Sequence, residues 1–320
     1  MVQPGWVLGD YRIISKIGTG GMTVVYRAEK IGYQGERQFA VKVLRPELND
    51  DEDIVRRFHK EGRDLEELRH QNIITVHDNS VAIGEDGEEY HYLVLDYIAG
   101  GNLKERIGRS GMNWRQACEI LKGVCEGLEY AHSKGKIHRD IKPQNILMDG
   151  DRPIIADFGI ARGVGSVQTS TGTILGTPEY MSPEQAMGRV VDHRTDIYSL
   201  GVVLYEMITG RVPFPVTDRT PPAVVLRQHI DQRPPPILRD IPSKLNQVIY
   251  KALEKKPEKR FQSARSMAIA LDEVLNSQKK GGVSKGVFIS VVSIITLILT
   301  GLAFFAGRIV GRMLISQGNA

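Results

Sequence analysis

The chain has 320 residues, 41% hydrophobic and 25% charged, which is the balance of a soluble globular protein with enough material for one large or two ordinary domains. Its formal charge of +4 sits at the end of the chain. Lys279, Lys280, Lys285, Arg308 and Arg312 have no acid among them, and the rest stands near −1, which excludes a basic nucleic-acid footprint.

No signal peptide is expected, because residues 1–16 lack an apolar core followed by small residues. Residues 11–44 alternate apolar and polar positions between glycine breaks, as in Tyr11-Arg12-Ile13-Ile14 and Val24-Val25-Tyr26. They predict three strands joined by turns, the start of a small sheet lobe. Between the first two strands lies Gly18-Thr19-Gly20-Gly21-Met22-Thr23-Val24-Val25, where missing Cβ atoms let backbone N–H groups approach phosphate oxygens. By itself such a run is more often a hairpin turn. The strand Phe39-Ala40-Val41-Lys42 follows.

From Ile54 to Leu65 the apolar residues Ile54, Phe58 and Leu65 suit one helix face. Glu61 on this helix reads alone as a solvated glutamate, with Glu66 and Glu67 close behind. Gly62 should loosen the helix by about 1 kcal/mol relative to alanine. Tyr92-Leu93-Val94-Leu95 has the composition of a buried strand, and Asp96-Tyr97-Ile98 then Gly100-Gly101 mark a crossing into a helical lobe. Residues 113–133 predict a long amphipathic helix. Cys118 and Cys125 fall on one of its faces with Leu121 and Leu128, which makes them buried thiols with no further ligands nearby for a metal. Such sparse cysteine use fits a reducing compartment.

That helix delivers the chain to His138-Arg139-Asp140-Ile141-Lys142-Pro143-Gln144-Asn145, followed after eleven residues by Asp157-Phe158-Gly159. A carboxylate able to take a hydroxyl proton, a lysine two residues on, an amide three further and a second carboxylate before a glycine form a set suited to moving a phosphoryl group. In this order and spacing the chain resembles the eukaryotic-like Ser/Thr protein kinases of the bacterial membrane-anchored type, over about residues 11–275.

The resemblance implies an α+β, two-lobed protein kinase fold, with a small antiparallel β-sheet N-lobe and a helical C-lobe. It also implies ATP and Mg2+ as cofactors and proteins bearing Ser or Thr as substrates. Asp140 would accept the proton and Lys142 would neutralise the transferring group, while Asn145 and Asp157 would hold magnesium. Lysine at 142 is similar to the serine- and threonine-specific members. Residues 18–25, Gly18 through Val25, would cover the phosphates, with Thr23 standing where the third glycine is usual and narrowing the turn. Lys42 would reach the α- and β-phosphates with Glu61 as its partner, and Ile17, Val25, Ala40 and Leu147 would sandwich adenine against the crossing strand.

By the same resemblance the loop from Gly163 to Thr173, with Ser166, Thr169, Ser170, Thr171 and Thr173, would be phosphorylated and paired to Arg139. Gly176-Thr177-Pro178-Glu179-Tyr180-Met181-Ser182-Pro183-Glu184 would dock substrate. Glu184 would pair with Arg260, and Asp196 would brace the catalytic loop.

Residues 276–286 read as a linker rich in Ser, Gly and Lys. Val287 to Ala306 contains twenty residues without a charge, about 30 Å as a helix, flanked by basic residues. A transmembrane helix over 287–307 is expected, with a short tail at 308–320, too short for a sensor domain. The need for ATP puts the kinase lobes on the cytoplasmic side of the cell membrane. Ala303, Gly307 and Gly311 recur at four-residue spacing and would let two spans approach as a homodimer. The rival reading is a pseudokinase, a membrane-tethered interaction module, supported by Thr23 and Gly62 and opposed by Lys42, Asp140, Asn145 and Asp157.

Overall fold

Period-two alternation builds the first lobe. In Thr23–Lys30 the side chains of Val24, Tyr26 and Ala28 are buried while their neighbours are not, which is the signature of a strand with one face on a core. The computed structural model describes residues 2–32, 37–158 and 177–277. Six antiparallel strands, β1 (Val7–Leu8), β2 (Tyr11–Thr19), β3 (Thr23–Lys30), β4 (Gln38–Leu44), β5 (Val76–Ile83) and β6 (Glu89–Asp96), form one sheet in the order β1-β2-β3-β4-β6-β5. One face buries Leu8, Tyr11, Ile13, Tyr26, Val41 and Val94.

The other face receives α1 (Glu52–Glu66), whose Phe58 packs with Leu44 and Leu93. Asp51 caps α1 by accepting from the N–H groups of Asp53 and Ile54 at 3.0 and 3.1 Å, and Glu52 and Asp53 add favourable charge in the first turn. The helix runs through Gly62 without a break.

Beyond the crossing, α2 (Leu103–Arg106) and α3 (Trp114–Ser133) lead to a two-stranded hairpin of β7 (Ile146–Asp149) and β8 (Arg152–Ile155). Four more helices follow: α4 (Pro183–Ala186), α5 (Arg194–Thr209), α6 (Pro222–Asp231) and α7 (Ser243–Ala252), with a further helix beginning at residue 264. α5 is the axis of this lobe, buried from Thr195 to Ile208 without a break. A helix buried all round must have its polar groups partnered, as Thr195, Asp196, Tyr198, Ser199 and Glu206 are. Cys118 and Cys125 are fully buried on α3 as expected, and burial pushes the Cys118 thiol up to about 12.

Residues up to Asp272 form one compact unit, and Glu273 onward is a second unit of which 273–277 are described, as helix. The expected membrane span and the hydroxyl-rich loop from Gly163 to Thr173 lie outside the described residues. Among those described, no helix is long and apolar enough to cross a membrane.

Candidate active site

Lys42 is fifth in β4, opposite Leu93 of β6 and Val25 of β3, so the sheet ladder sets its direction. Its ammonium meets two carboxylates, Glu61 Oε1 on α1 at 3.0 Å and Asp157 Oδ1 at 2.9 Å. Burial alone would lower the lysine's pKa. The carboxylates of Asp157 and Glu61 more than offset it and hold the group above its ordinary value, charged throughout the neutral range. The neighbouring ammonium holds Asp157 below the usual carboxylate range, against the opposing effect of burial. For Glu61 burial pushes the pKa up while Lys42 pulls it down. Burial is the larger of the two, so the carboxyl stays above its ordinary value.

Asp157 stands two residues beyond β8 in a left-handed backbone conformation, φ 54°. Phe158 behind it is fully buried, its ring centroid 4.6 Å from that of His138. His138 Nδ1 accepts from the Asp140 N–H at 3.2 Å and Nε2 donates to the Ala156 carbonyl at 3.0 Å, a partner set that one neutral tautomer satisfies. Burial lowers its pKa in agreement.

On the other side, Asp140 Oδ2 lies 3.0 Å from Lys142 Nζ and 3.2 Å from Asn145 Nδ2. Asn145 Nδ2 also donates to the Asp140 carbonyl at 2.9 Å, which leaves its amide oxygen as the group available for a ligand. An amide oxygen from Asn145 and an ionised carboxylate from Asp157 are hard donors that fit an oxygen-coordinated divalent cation.

Between the lobes a cleft of about 360 Å³ is lined by Ile17, Gly18, Val25, Ala40, Lys42, Leu147 and Asp157, and by the crossing residues Asp96, Tyr97 and Ile98. An apolar slot ending in a lysine and a carboxylate suits a flat heterocycle carrying phosphates. The family model of the protein kinase domain matches residues 11–271. The chain belongs to the protein kinase family.

This kinase chain is 40% identical over 279 residues to a probable serine/threonine-protein kinase of Clostridium acetobutylicum, covering 85% of this chain and 41% of that one. It is 39% identical over 285 residues to the serine/threonine-protein kinase PknB of Mycobacterium leprae, covering 87% and 45%. The crystal structure of the Mycobacterium tuberculosis PknI kinase domain is 27% identical with a TM-score of 0.61, covering 86% of this chain and 100% of that one. The chain therefore spans less than half the length of these curated relatives.

Most of the expected constellation comes together in the kinase domain. Glu61, and not Glu66 or Glu67, meets Lys42, because it shares the buried face of α1 with Phe58 and Leu65. The turn of Gly20, Gly21 and Met22 is exposed, while Val24 turns into the sheet core. Thr23 opens β3 opposite Leu44, and its φ is outside the left-handed region, so the turn makes no demand there that only glycine can meet. Thr19 closes β2 opposite Val24.

Two expected braces are present. Asp196, fully buried, accepts from the N–H groups of His138 and Arg139 at 2.9 and 2.8 Å and lies 2.8 Å from His132 Nε2. Burial would raise its pKa, but His132 and those hydrogen bonds hold it low. Arg260 grips Glu184 with two nitrogens at 2.7 Å each.

Other contacts were not foreseen. Lys136 donates to Asp64 of α1, tying that helix to the segment before His138. Lys142 Nζ donates to Thr177 Oγ1 at 3.0 Å. Lys104 of α2 donates to Glu206 of α5. These pairs lie 72, 35 and 102 positions apart, beyond the reach of any local pattern.

Proposed function

We propose that the chain is an ATP- and Mg2+-dependent serine/threonine protein kinase, transferring the γ-phosphoryl group to a protein hydroxyl. The carrying observation is the buried ammonium of Lys42 held between Glu61 and Asp157 at 3.0 and 2.9 Å. A cation fixed in this way needs no reorganisation when phosphates arrive. Asp140 accepts the hydroxyl proton as the new P–O bond forms and the bond to the β-phosphate breaks, with ADP leaving. Lys142, beside Asp140, faces the charge on the moving group. A divalent cation supplies neutralisation of the phosphate oxygens, and Asn145 and Asp157 are the residues that would hold it.

Lysine at 142 and the similarity to serine/threonine-protein kinases support serine or threonine as acceptor. Against the pseudokinase alternative stand Lys42, Asp140, Asn145 and Asp157, while Thr23, one of its two supports, opens β3 with its φ outside the left-handed region. The charge-free stretch from 287 to 306 supports a membrane tether, and the need for ATP supports lobes on the cytoplasmic side. Loop phosphorylation at Thr169, Thr171 or Thr173, promoted by pairing of spans through Ala303 and Gly307, belongs to the same proposal.

The test is transfer of labelled phosphate from ATP to a generic protein substrate with Mg2+, compared with Asp140→Asn. Loss of transfer of about a hundredfold or more in the variant is expected. Equal transfer by both would refute the assignment of Asp140.

A further inference from the structure

Glu206 is fully buried on α5, yet it reaches a second pocket, of about 300 Å³, whose walls include Lys104, Thr177, Glu179 and Arg211. Thr177 accepts from Lys142 Nζ at 3.0 Å, and Lys142 is 3.0 Å from Asp140. The pocket therefore adjoins the place where the acceptor hydroxyl must stand. A buried carboxylate in such a position would draw a cationic side chain of the substrate, since little water competes for it. In this protein both of its oxygens are already used. Tyr180 donates its hydroxyl to Oε2 at 2.6 Å, and Lys104 Nζ donates to Oε1.

Lys104 comes from the short helix α2, with a side chain 46% exposed, so it reaches in from the rim and puts its ammonium on the floor. An incoming arginine would have to displace it, trading one charge-assisted contact for another while gaining nothing. The remaining charges on the wall, Glu179 and Arg211, are opposite in sign and set no net demand.

We infer that Lys104 is a specificity-determining residue: by occupying Glu206 it removes the receptor for a basic side chain, so that this pocket takes an uncharged side chain flanking the phosphorylated serine or threonine. The inference rests on the kinase reading above. Removing the lysine leaves Glu206 with Tyr180 alone and turns the pocket into an arginine site.

The experiment uses the full chain and a set of fluorescein-labelled peptides, each with one threonine and a single arginine or alanine scanned through the flanking positions. Phosphorylation kcat/KM and, separately, peptide binding by anisotropy are measured for wild type, Lys104→Met, Lys104→Gln and Lys104→Met/Glu206→Gln. Wild type should show arginine-to-alanine ratios within about threefold of one at every position. Both single variants should gain a preference of about tenfold or more at one position, mainly through KM and visible in binding, and the double variant should lose it. A wild-type preference for arginine at that position, or single variants that bind both peptides alike, would overturn the inference. Failure of wild type to phosphorylate any peptide or itself would instead refute the kinase reading, and the role of Lys104 with it. Should one single variant not fold, the other carries the comparison, since methionine and glutamine both remove the charge.

Discussion

A Cβ on Gly62 would stand 2.5 Å from Asn79 Nδ2, so α1 lies against β5 at a distance only glycine permits. Asn79 cannot easily withdraw: its Nδ2 donates to the His59 carbonyl at 3.0 Å, and its Oδ1 is 2.5 Å from His59 Nδ1. The same Cβ would meet the buried Leu93 at 2.5 Å. Helix propensity predicts that Gly62→Ala gains about 1 kcal/mol. The close approach predicts the reverse, with α1 forced outward and Glu61 drawn from Lys42. Thermal unfolding should show a lower Tm and transfer assays a lower rate; a higher Tm would show that the helix–sheet spacing has slack.

Lys42 and Glu61 are both buried, so removing one leaves an uncompensated group in the interior. Lys42→Met should abolish transfer and also cost about 3 kcal/mol of stability. Lys42→Met/Glu61→Gln should stay inactive yet recover most of that loss. Asp157→Ala should abolish transfer at a smaller stability cost than Lys42→Met, because its native side chain is 54% exposed and Glu61 still faces Lys42. Urea unfolding of the three variants separates these outcomes, and a double variant no more stable than Lys42→Met would count against buried charge as the cause.

Arg260 makes two bonds to Glu184 and further bonds to the carbonyls of Glu254, Arg194 and Lys255 at 2.8, 2.9 and 3.0 Å. Lysine has neither the fork nor enough donors to replace them. Arg260→Lys should therefore cost about 2 kcal/mol, a fall in Tm of roughly 5 °C. A calorimetric scan with unchanged Tm would show that the carbonyls find other partners.

Three histidines are held neutral. Burial depresses the pKa of His138, burial and the nearby His59 depress that of His91, and burial with Lys255 pushes His229 down to about 3. In the unfolded chain each takes a proton near pH 6.5. The unfolded state thus binds protons first as pH falls, so the stability from these groups is present above about pH 6.5 and is lost below it. The loss amounts to as much as about 1.4 kcal/mol per pH unit for each histidine, and for His229 it continues to about pH 3. The depressed carboxylates Asp64, Asp157 and Asp196 have stability that is present above their unfolded values, near pH 4, and add to the loss only below them. Denaturant unfolding between pH 7.5 and 5 should show falling stability, less steeply in His229→Gln. An equal slope in that variant would remove His229 from the account.

Much of the candidate active site was legible in the sequence because it is local. Asp140, Lys142 and Asn145 lie within one short loop and Asp157 one hairpin later, so fixed spacing carries their geometry almost unchanged into the fold. The strands around Lys42 and the helix ending near His138 follow from periods of two and 3.6. The sequence also leaves Glu61, Glu66 and Glu67 as near equivalents. Only the packing of Phe58 and Leu65 against the sheet turns Glu61 inward to Lys42. Gly62 shows the same limit, since its propensity describes an isolated helix and its function depends on Asn79 across a gap. Lys104 and Glu206, and Asp64 and Lys136, were invisible for a related reason. Each pair joins elements whose relative placement is decided by the burial of apolar faces elsewhere, a non-directional force summed over the whole core, and no residue near either partner in the chain records where the other will be.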